Sequence, residues 1–481
     1  MNAPLRRVAM AVFVLFTLLF VNLNYVQVVK GGEYRRDPHN KRVQLQAYER
    51  ERGAIVVDGQ AIALSKATTG RLKYQRLYPA GKLYAPVTGY KSLVYGASGI
   101  EEAEEPVLSG DDDRLFVRRV SDIVTGRRPV GGSVLLTLRQ RVQAAAYSAL
   151  GNHTGAVVAL DPKSGQILAL VSKQSYDPSP LASHDTAVER KAWTQLQRDP
   201  DKPMLNRALR DTYPPGSTFK VILSATALAN GFGPDSTIPS PRSYTAPGTT
   251  TPIRNFAGES CTGQTSSLAD ALRVSCNTAF AELGVRLGAD KVREQAHAFG
   301  FDQQAPSVPL ETVPSQVGDL ADVPSLAQSS IGQRNVRMTP LQGAMIAAGV
   351  ANNGRVMKPY LVKEITAPDL SPLDTTQPEE FSQATSPEVA AQLQQMMVGV
   401  VERGTGTAAR LSGVTVGGKT GTAENGGGQK DTLWFIGFAI VDNTPVAAVA
   451  VVLDRAGGSS AQATRIAGTV LQSAVTAQGG K

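Results

Sequence analysis

Residues 213–220 read YPPGSTFK, and residues 219–230 read FKVILSATALAN. Two prolines and a glycine cannot continue a helix, but they can deliver the chain sharply into the start of one. The run that follows is apolar on nearly every side, which predicts a helix in the middle of a domain rather than on its surface. Gly231 stands where a C-terminal cap is expected. Ser217 and Lys220 are three positions apart, so at the first turn both side chains lie on one face. There the unpaired N–H groups and the positive end of the helix dipole favour a developing negative charge on the serine. A lysine partly buried beside it loses proton affinity by desolvation and could take the serine proton near neutral pH. The alternative is an ordinary helix start, because a Ser-x-x-Lys tetrad arises roughly once by chance in a chain of this size. Here no other lysine has a serine three positions before it, and the flanks supply both a helix start and a buried helix. That context favours a nucleophile.

Working outward, 481 residues allow two or three domains and at least one large core. A hydrophobic content of 42% with 19% charge predicts a folded body rather than disorder. The net charge is +8, but the basic residues are scattered without aromatic interleaving. This argues against a nucleic-acid platform and fits work near an anionic surface. His39, His153, His184 and His297 form no HExxH or Cys/His spacing, so no metal site is readable and no cofactor is expected.

The N-terminus points to a compartment. Arg6 and Arg7 precede VAMAVFVLFTLLFV (8–21), continued weakly through Leu23, Tyr25, Val26 and Val29. A secretory h-region is shorter and ends at small residues of A-x-A type, which are missing here. The reading is a cytoplasmic stub (1–7) and an uncleaved anchor (8–29) in the plasma membrane, with the arginines favouring a cytoplasmic N-terminus. A cleaved signal peptide is the competing reading, and both place the body outside the cytoplasm. Cys261 and Cys276 are the only cysteines. In an oxidising compartment they suggest a disulfide, stabilising by about 3 kcal/mol in the chain-entropy model, against two separate buried thiols.

Residues 30–140 read as a small α+β spacer without chemistry of its own. EYRRDPHNKR (33–42) is rich in charge and turn residues, and apolar and polar residues alternate in ERERGAIVVDGQAIALS (49–65). The acidic clusters at 101–105 and 111–113 read as solvated loop faces. After Gly131-Gly132, SVLLTLRQRVQAAAYSAL (133–150) predicts a strand turning into a helix. GAVVAL (155–160) and QILALVS (166–172) are joined by a tight turn with Gly165 at the positive-φ position. SLADALRVSCNTAFAELGVRLG (267–288) reads as one helical piece, and Thr339-Pro340 as the start of another. Further strands are expected at 414–424, 433–441 and 446–454, with a closing helix over 463–478.

Two more groups complete a constellation. Ser275-Cys276-Asn277 follows Ser217 by 58 positions, and Lys419-Thr420-Gly421-Thr422 lies at the end of a later strand. Ser-x-x-Lys, Ser-x-Asn and Lys-Thr-Gly in that order resemble the penicilloyl-serine transferases. GAVVALDPKSGQILALVS, NRAL, IGQRNVRMTPLQGAMIAAGVANNG, GTGTAA (404–409) and LWFIGFA are similar to class B penicillin-binding proteins over about 150–470, and the spacer stretch 52–65 matches that family's N-terminal module.

The resemblance implies an α+β fold: an antiparallel five-stranded sheet flanked by helices, an all-helical subdomain, a small N-terminal α+β pedestal and one transmembrane helix. The transpeptidase domain is expected over 141–481. It also implies roles. Ser217 attacks the carbonyl between two D-alanines of a peptidoglycan stem peptide, with Lys220 as base. Backbone N–H groups of Ser217 and Thr422 form an oxyanion hole. Ser275 relays the proton to the departing D-alanine, and Asn277 holds the substrate amide and Lys220. Lys419, Thr420, Gly421 and Thr422 receive the substrate's terminal carboxylate and main chain. β-Lactam antibiotics acylate the same serine. A SEDS-family glycan polymerase and other cell-wall synthesis proteins are the implied partners, and nucleic acid is not. Three rivals remain: a β-lactamase, disfavoured by Cys276 where class A members carry aspartate; a membrane-bound penicillin sensor, disfavoured by the short stub; and a D,D-carboxypeptidase.

Overall fold

The computed structural model describes residues 2–31, 48–115, 125–126, 130–255 and 261–479. The stretch 33–42, with His39, lies outside the described residues.

The centre of the molecule is a five-stranded antiparallel sheet. Its strands lie in the order Thr415–Ala423, Thr432–Val441, Thr444–Leu453, Gly155–Leu160, Ile167–Lys173. The last two are the expected hairpin, and Gly165 at φ 82° makes its turn, with the Lys358 carbonyl too close for any Cβ. Strands such as VAAVAVVL are apolar at every position because both faces of the sheet are covered. Ala156, Val158, Ile436 and Ala450 pack in the core with the central helix and with Pro340–Ala351. Val157, Phe435, Val449 and Val451 face the opposite way, against Gln140–Leu150 and the closing helix Ala461–Gly479.

The SxxK segment enters this core as expected, with one refinement. Gly216–Phe219 is a turn of 3-10 helix, and the α-helix proper is Lys220–Ala229, buried from Lys220 to Leu228. It ends in a Schellman cap: Phe232 N–H reaches the Ala227 carbonyl at 3.1 Å and Gly231 takes φ 88°. Around it stand Leu268–Arg273, Asn277–Leu287, Ala289–Ala298 and Pro387–Arg403, the helical subdomain. The single helical piece expected over 267–288 is therefore two helices. Ser275 at φ 62° breaks them apart, a conformation that propensity and periodicity do not signal.

The pedestal holds a six-stranded mixed sheet in the order Pro372–Thr375, Val362–Thr366, Ser133–Leu136, Ile55–Val57, Gln60–Ala67, Tyr74–Leu77. Ser133–Leu136 pairs parallel with Ile55–Val57 and antiparallel with Val362–Thr366. Two of its strands thus come from far downstream of the expected boundary at 140/141, and the sheet joins chain from both sides of it. Ahead of the pedestal, Pro4–Val29 is helical, exposed, and of mean hydropathy 2.0. It is long and apolar enough to cross a bilayer core of about 30 Å.

One expectation for the pedestal is corrected. Glu101 is not on a solvated loop face but fully buried. Its two oxygens accept from Arg52 Nε and Arg76 Nε, each at 2.6 Å, while Arg52 also reaches Glu105 at 2.7 Å. Burial alone pushes the Glu101 carboxyl up, but the Arg76 and Arg52 guanidiniums outweigh it and hold the group down at about 2. Removing one partner strands the others, so Glu101→Gln is expected to destabilise the protein by about 3 kcal/mol in urea unfolding. The folded pKa lies below the unfolded one. The carboxylate's contribution is therefore full above an unfolded value of about 4.3 and is lost as pH falls toward 2. The variant should show a flatter loss of stability across that window; an unchanged urea midpoint and an unchanged acid limb contradict the assignment.

Candidate active site

The turn carrying Ser217 is fixed from three sides. Tyr213 exchanges backbone hydrogen bonds with Met338 at 3.0 and 2.9 Å. Trp434 Nε1 donates to the Pro214 carbonyl at 3.0 Å, and its ring meets Tyr213 edge-on at 6.1 Å. Gly216 N–H donates to the Gly332 carbonyl at 2.9 Å. The turn then sits directly on the strand Thr415–Ala423. A Cβ on Gly216 would stand 2.5 Å from the Thr422 carbonyl oxygen, and one on Gly421 would stand 2.8 Å from the Pro215 carbonyl oxygen. Glycine at both positions lets the two backbones touch, which brings the Thr422 main chain alongside Ser217. Ser217 itself is partly exposed.

Lys220, in the first turn of the central helix, is completely buried. Its Nζ donates to Asn277 Oδ1 at 2.7 Å, to the Ser275 carbonyl at 2.8 Å and to Ser275 Oγ at 3.4 Å. Burial first, and the nearby Lys419 charge second, hold its ammonium well below the usual lysine range. Lys419 is equally buried, and burial brings it down to about 7. Its Nζ donates to Ser275 Oγ at 2.9 Å and to the Thr420 carbonyl at 2.9 Å. The Ser275 hydroxyl thus lies between two lysine nitrogens, one from the central helix and one from the edge strand. This arrangement can carry a proton from one side of a reacting group to the other.

The left-handed Ser275 is what aims its carbonyl and hydroxyl at Lys220, a conformation that costs of order 1–3 kcal/mol for a residue with a side chain. Several groups compensate. Cys276 N–H reaches the Ala271 carbonyl at 2.8 Å, and Cys276 and Cys261 form a disulfide with Cα atoms 5.6 Å apart. Asn255 Oδ1 accepts from the N–H groups of Asn277 (2.9 Å) and Thr278 (3.1 Å), capping the helix Asn277–Leu287 from a distant loop. Asn277 Nδ2 donates to the Arg254 carbonyl at 3.0 Å, which leaves its oxygen facing Lys220. Neither Asn255 nor Arg254 is readable from the sequence: each acts through a loop whose position no local pattern encodes.

Hydrogen bonds join Lys220, Ser275, Asn277, Lys419 and Thr420, and Gly216 and Gly421 hold the Ser217 turn against the edge strand, while Asn255 and Arg254 are supports that the sequence did not single out. Ser217 enters from the 3-10 turn and Lys220 from the start of the central helix, Ser275 and Asn277 from the break between two helices, and Lys419–Thr422 from the edge strand. Thr422 is partly exposed on that strand, the outermost of the five, so one side of its backbone ladder is not covered by another strand. Among the described residues no group of three or more His, Cys, Asp or Glu is placed to hold a metal.

Comparison with known proteins shows the family. A family model described as the penicillin binding protein transpeptidase domain matches residues 155–472, and one described as the penicillin binding protein A dimerisation domain matches residues 52–134. The chain is 46% identical over 473 residues to the peptidoglycan D,D-transpeptidase PbpA of Mycolicibacterium smegmatis, covering 96% of each. It is 45% identical over 463 residues to the PbpA of Mycobacterium tuberculosis, covering 94% of each. Among solved structures it resembles penicillin-binding protein A from M. tuberculosis as an imipenem acyl-enzyme complex, with TM-score 0.87, 44% identity and coverage of 90% of this chain and 100% of that one. The penicillin G acyl-enzyme complex of the same protein gives TM-score 0.85 at 43% identity, covering 89% and 100%.

Proposed function

The chain belongs to the penicillin-binding protein transpeptidase family, and we propose that Ser217 is the nucleophile with which it cross-links peptidoglycan stem peptides. It is a serine-type peptidoglycan D,D-transpeptidase, and β-lactams acylate it. The observation that carries the site assignment is the Ser275 hydroxyl held between two buried lysines, beside the helix mouth that bears Ser217.

In this reading the Ser217 hydroxyl attacks the carbonyl between two D-alanines as its proton passes to neutral Lys220. The oxyanion that forms is met by the N–H groups of Ser217 and Thr422, the latter brought close by Gly216; such donors are worth roughly 3 kcal/mol each. Ser275, fed by Lys220 and Lys419, hands a proton to the departing D-alanine nitrogen as the C–N bond breaks. Asn277 fixes Lys220 and offers its amide to the donor peptide. That peptide lies along the edge strand, with its terminal carboxylate toward Lys419, Thr420 and Thr422. An amine of a neighbouring stem peptide then attacks the acyl-enzyme, frees Ser217 and leaves the cross-link.

The apolar helix Pro4–Val29 supports a single-pass anchor, with Arg6 and Arg7 favouring a cytoplasmic N-terminus and an extracytoplasmic body. The pedestal and anchor are the surfaces for a SEDS-family polymerase, which would supply the glycan strands this chain joins. The deciding experiment incubates the purified protein with a donor ending in D-Ala-D-Ala and an amine acceptor. Cross-linked product, lost in Ser217→Ala, is expected; hydrolysed donor alone would make the enzyme a carboxypeptidase.

A further inference from the structure

The stretch GTGTAA (404–409), which follows the helix Pro387–Arg403, has no part in the steps above. It bridges two walls of the site. On one side it presses on the helix Leu268–Arg273, which runs into Ser275. A Cβ at Gly404 would stand 2.4 Å from the Arg273 carbonyl oxygen, and the Thr405 N–H donates to that same oxygen at 3.3 Å. Arg273 returns the contact, donating from Nη1 to the Arg403 carbonyl at 3.2 Å while Asp270 Oδ1 holds its Nε at 2.8 Å. On the other side the Thr405 hydroxyl lies 2.6 Å from the Thr420 hydroxyl. Thr420 is buried and Thr405 exposed, so the pair runs from the edge strand out to open solvent.

The chemistry of the pair follows from counting protons. Each threonine hydroxyl has one proton and accepts with its lone pairs. Lys419 Nζ, at 3.5 Å, is a donor to Thr420 Oγ1, so that oxygen is supplied with protons from the lysine side. One of the two hydroxyls donates to the other, and the remaining proton is free to point outward. A carboxylate accepts only, and an outward hydroxyl beside an ammonium is what it requires. We propose that Thr405 is a positioning residue for the substrate's terminal carboxylate. Its backbone N–H is bonded to the end of the helix behind Ser275, and its hydroxyl holds Thr420 so that the pair presents one proton to the anion next to Lys419. The inference rests on the reading above that Lys419–Thr422 receives this carboxylate.

The test compares acylation of the full chain by benzylpenicillin and by its methyl ester, which keeps the lactam and loses the anion. Wild type should prefer the acid. In Thr405→Val, which keeps shape and loses the hydroxyl, Thr420 retains its own proton but loses the partner that orients it, so the acid-to-ester rate ratio should fall severalfold, up to about the tenfold value of one hydrogen bond to a charged group. Thr405→Ser should restore it. A ratio unchanged in Thr405→Val, equal slowing of both compounds, or no rescue by serine overturns the inference while wild type still prefers the acid. If wild type shows no such preference, the carboxylate reading falls and takes the inference with it.

Discussion

Lys220→Met should lose acylation by benzylpenicillin by about 10³- to 10⁴-fold at neutral pH while the protein still folds, since a positioned general base is worth that much at the upper end. Methionine matches the length of the buried lysine stem and adds no charge to a site that is wholly enclosed. What disappears is the one nitrogen that bonds Asn277 Oδ1, the Ser275 carbonyl and the Ser275 hydroxyl together. The sign of the wild-type pH profile follows from the same environment. Burial and the Lys419 charge both disfavour the protonated form, so Lys220 is neutral at lower pH than an ordinary lysine. The acid limb of kcat/KM should therefore lie well below the usual lysine range and vanish in Lys220→Met. Stopped-flow acylation over a pH series checks both; a variant with near wild-type rates would remove Lys220 as the base.

Gly216→Val should be nearly as damaging, for a reason of shape. The residue holds φ 52°, and its Cβ would meet the Thr422 carbonyl oxygen at 2.5 Å and the Thr422 carbonyl carbon at 2.9 Å. Neither neighbour is the end of a flexible side chain, so the edge strand or the Ser217 turn must shift. A β-branched residue in this backbone region also stores strain, and the two terms together should cost about 3 kcal/mol or more. The displaced atoms are the very backbone that brings Thr422 N–H toward Ser217. Acylation should fall by roughly 10²-fold or more, the loss seen when one oxyanion donor is withdrawn. Gly231→Ala is the matched control: it too has a positive φ, 88°, but nothing within 4 Å of its Cβ. It should lower the melting temperature slightly and leave acylation alone. Equal effects from the two substitutions would show that strain alone, and not the contact with the strand, governs the site.

Much of this was legible in the residues because it depends on local rules. Prolines and a glycine before an uncharged run announce a buried helix, and apolar runs between turn signals announce strands, while the helix-flanked five-stranded sheet is what the family resemblance implies. The order of three short polar motifs identified the chemistry. What could not be read depends on contacts between distant segments. The stretch around Ser275 has helical composition on both sides, and its left-handed break is supported by bonds to the distant Asn255 and Arg254 and by the Cys261–Cys276 disulfide. Glu101 looks like any member of an acidic loop until Arg52 and Arg76 close over it. The strands Val362–Thr366 and Pro372–Thr375 carry no mark that they complete a sheet begun some three hundred residues earlier. Thr405 lies in a motif that was visible, but its role depends on a hydroxyl from the edge strand.

The central claim is that one serine, at the mouth of the buried helix, takes the acyl group. Peptide mapping by mass spectrometry after treatment with penicillin G tests it most directly. The account predicts a single penicilloyl adduct on the peptide containing Ser217, absent from Ser217→Ala. An adduct on any other peptide, or one that forms in Ser217→Ala at the wild-type rate, would contradict it.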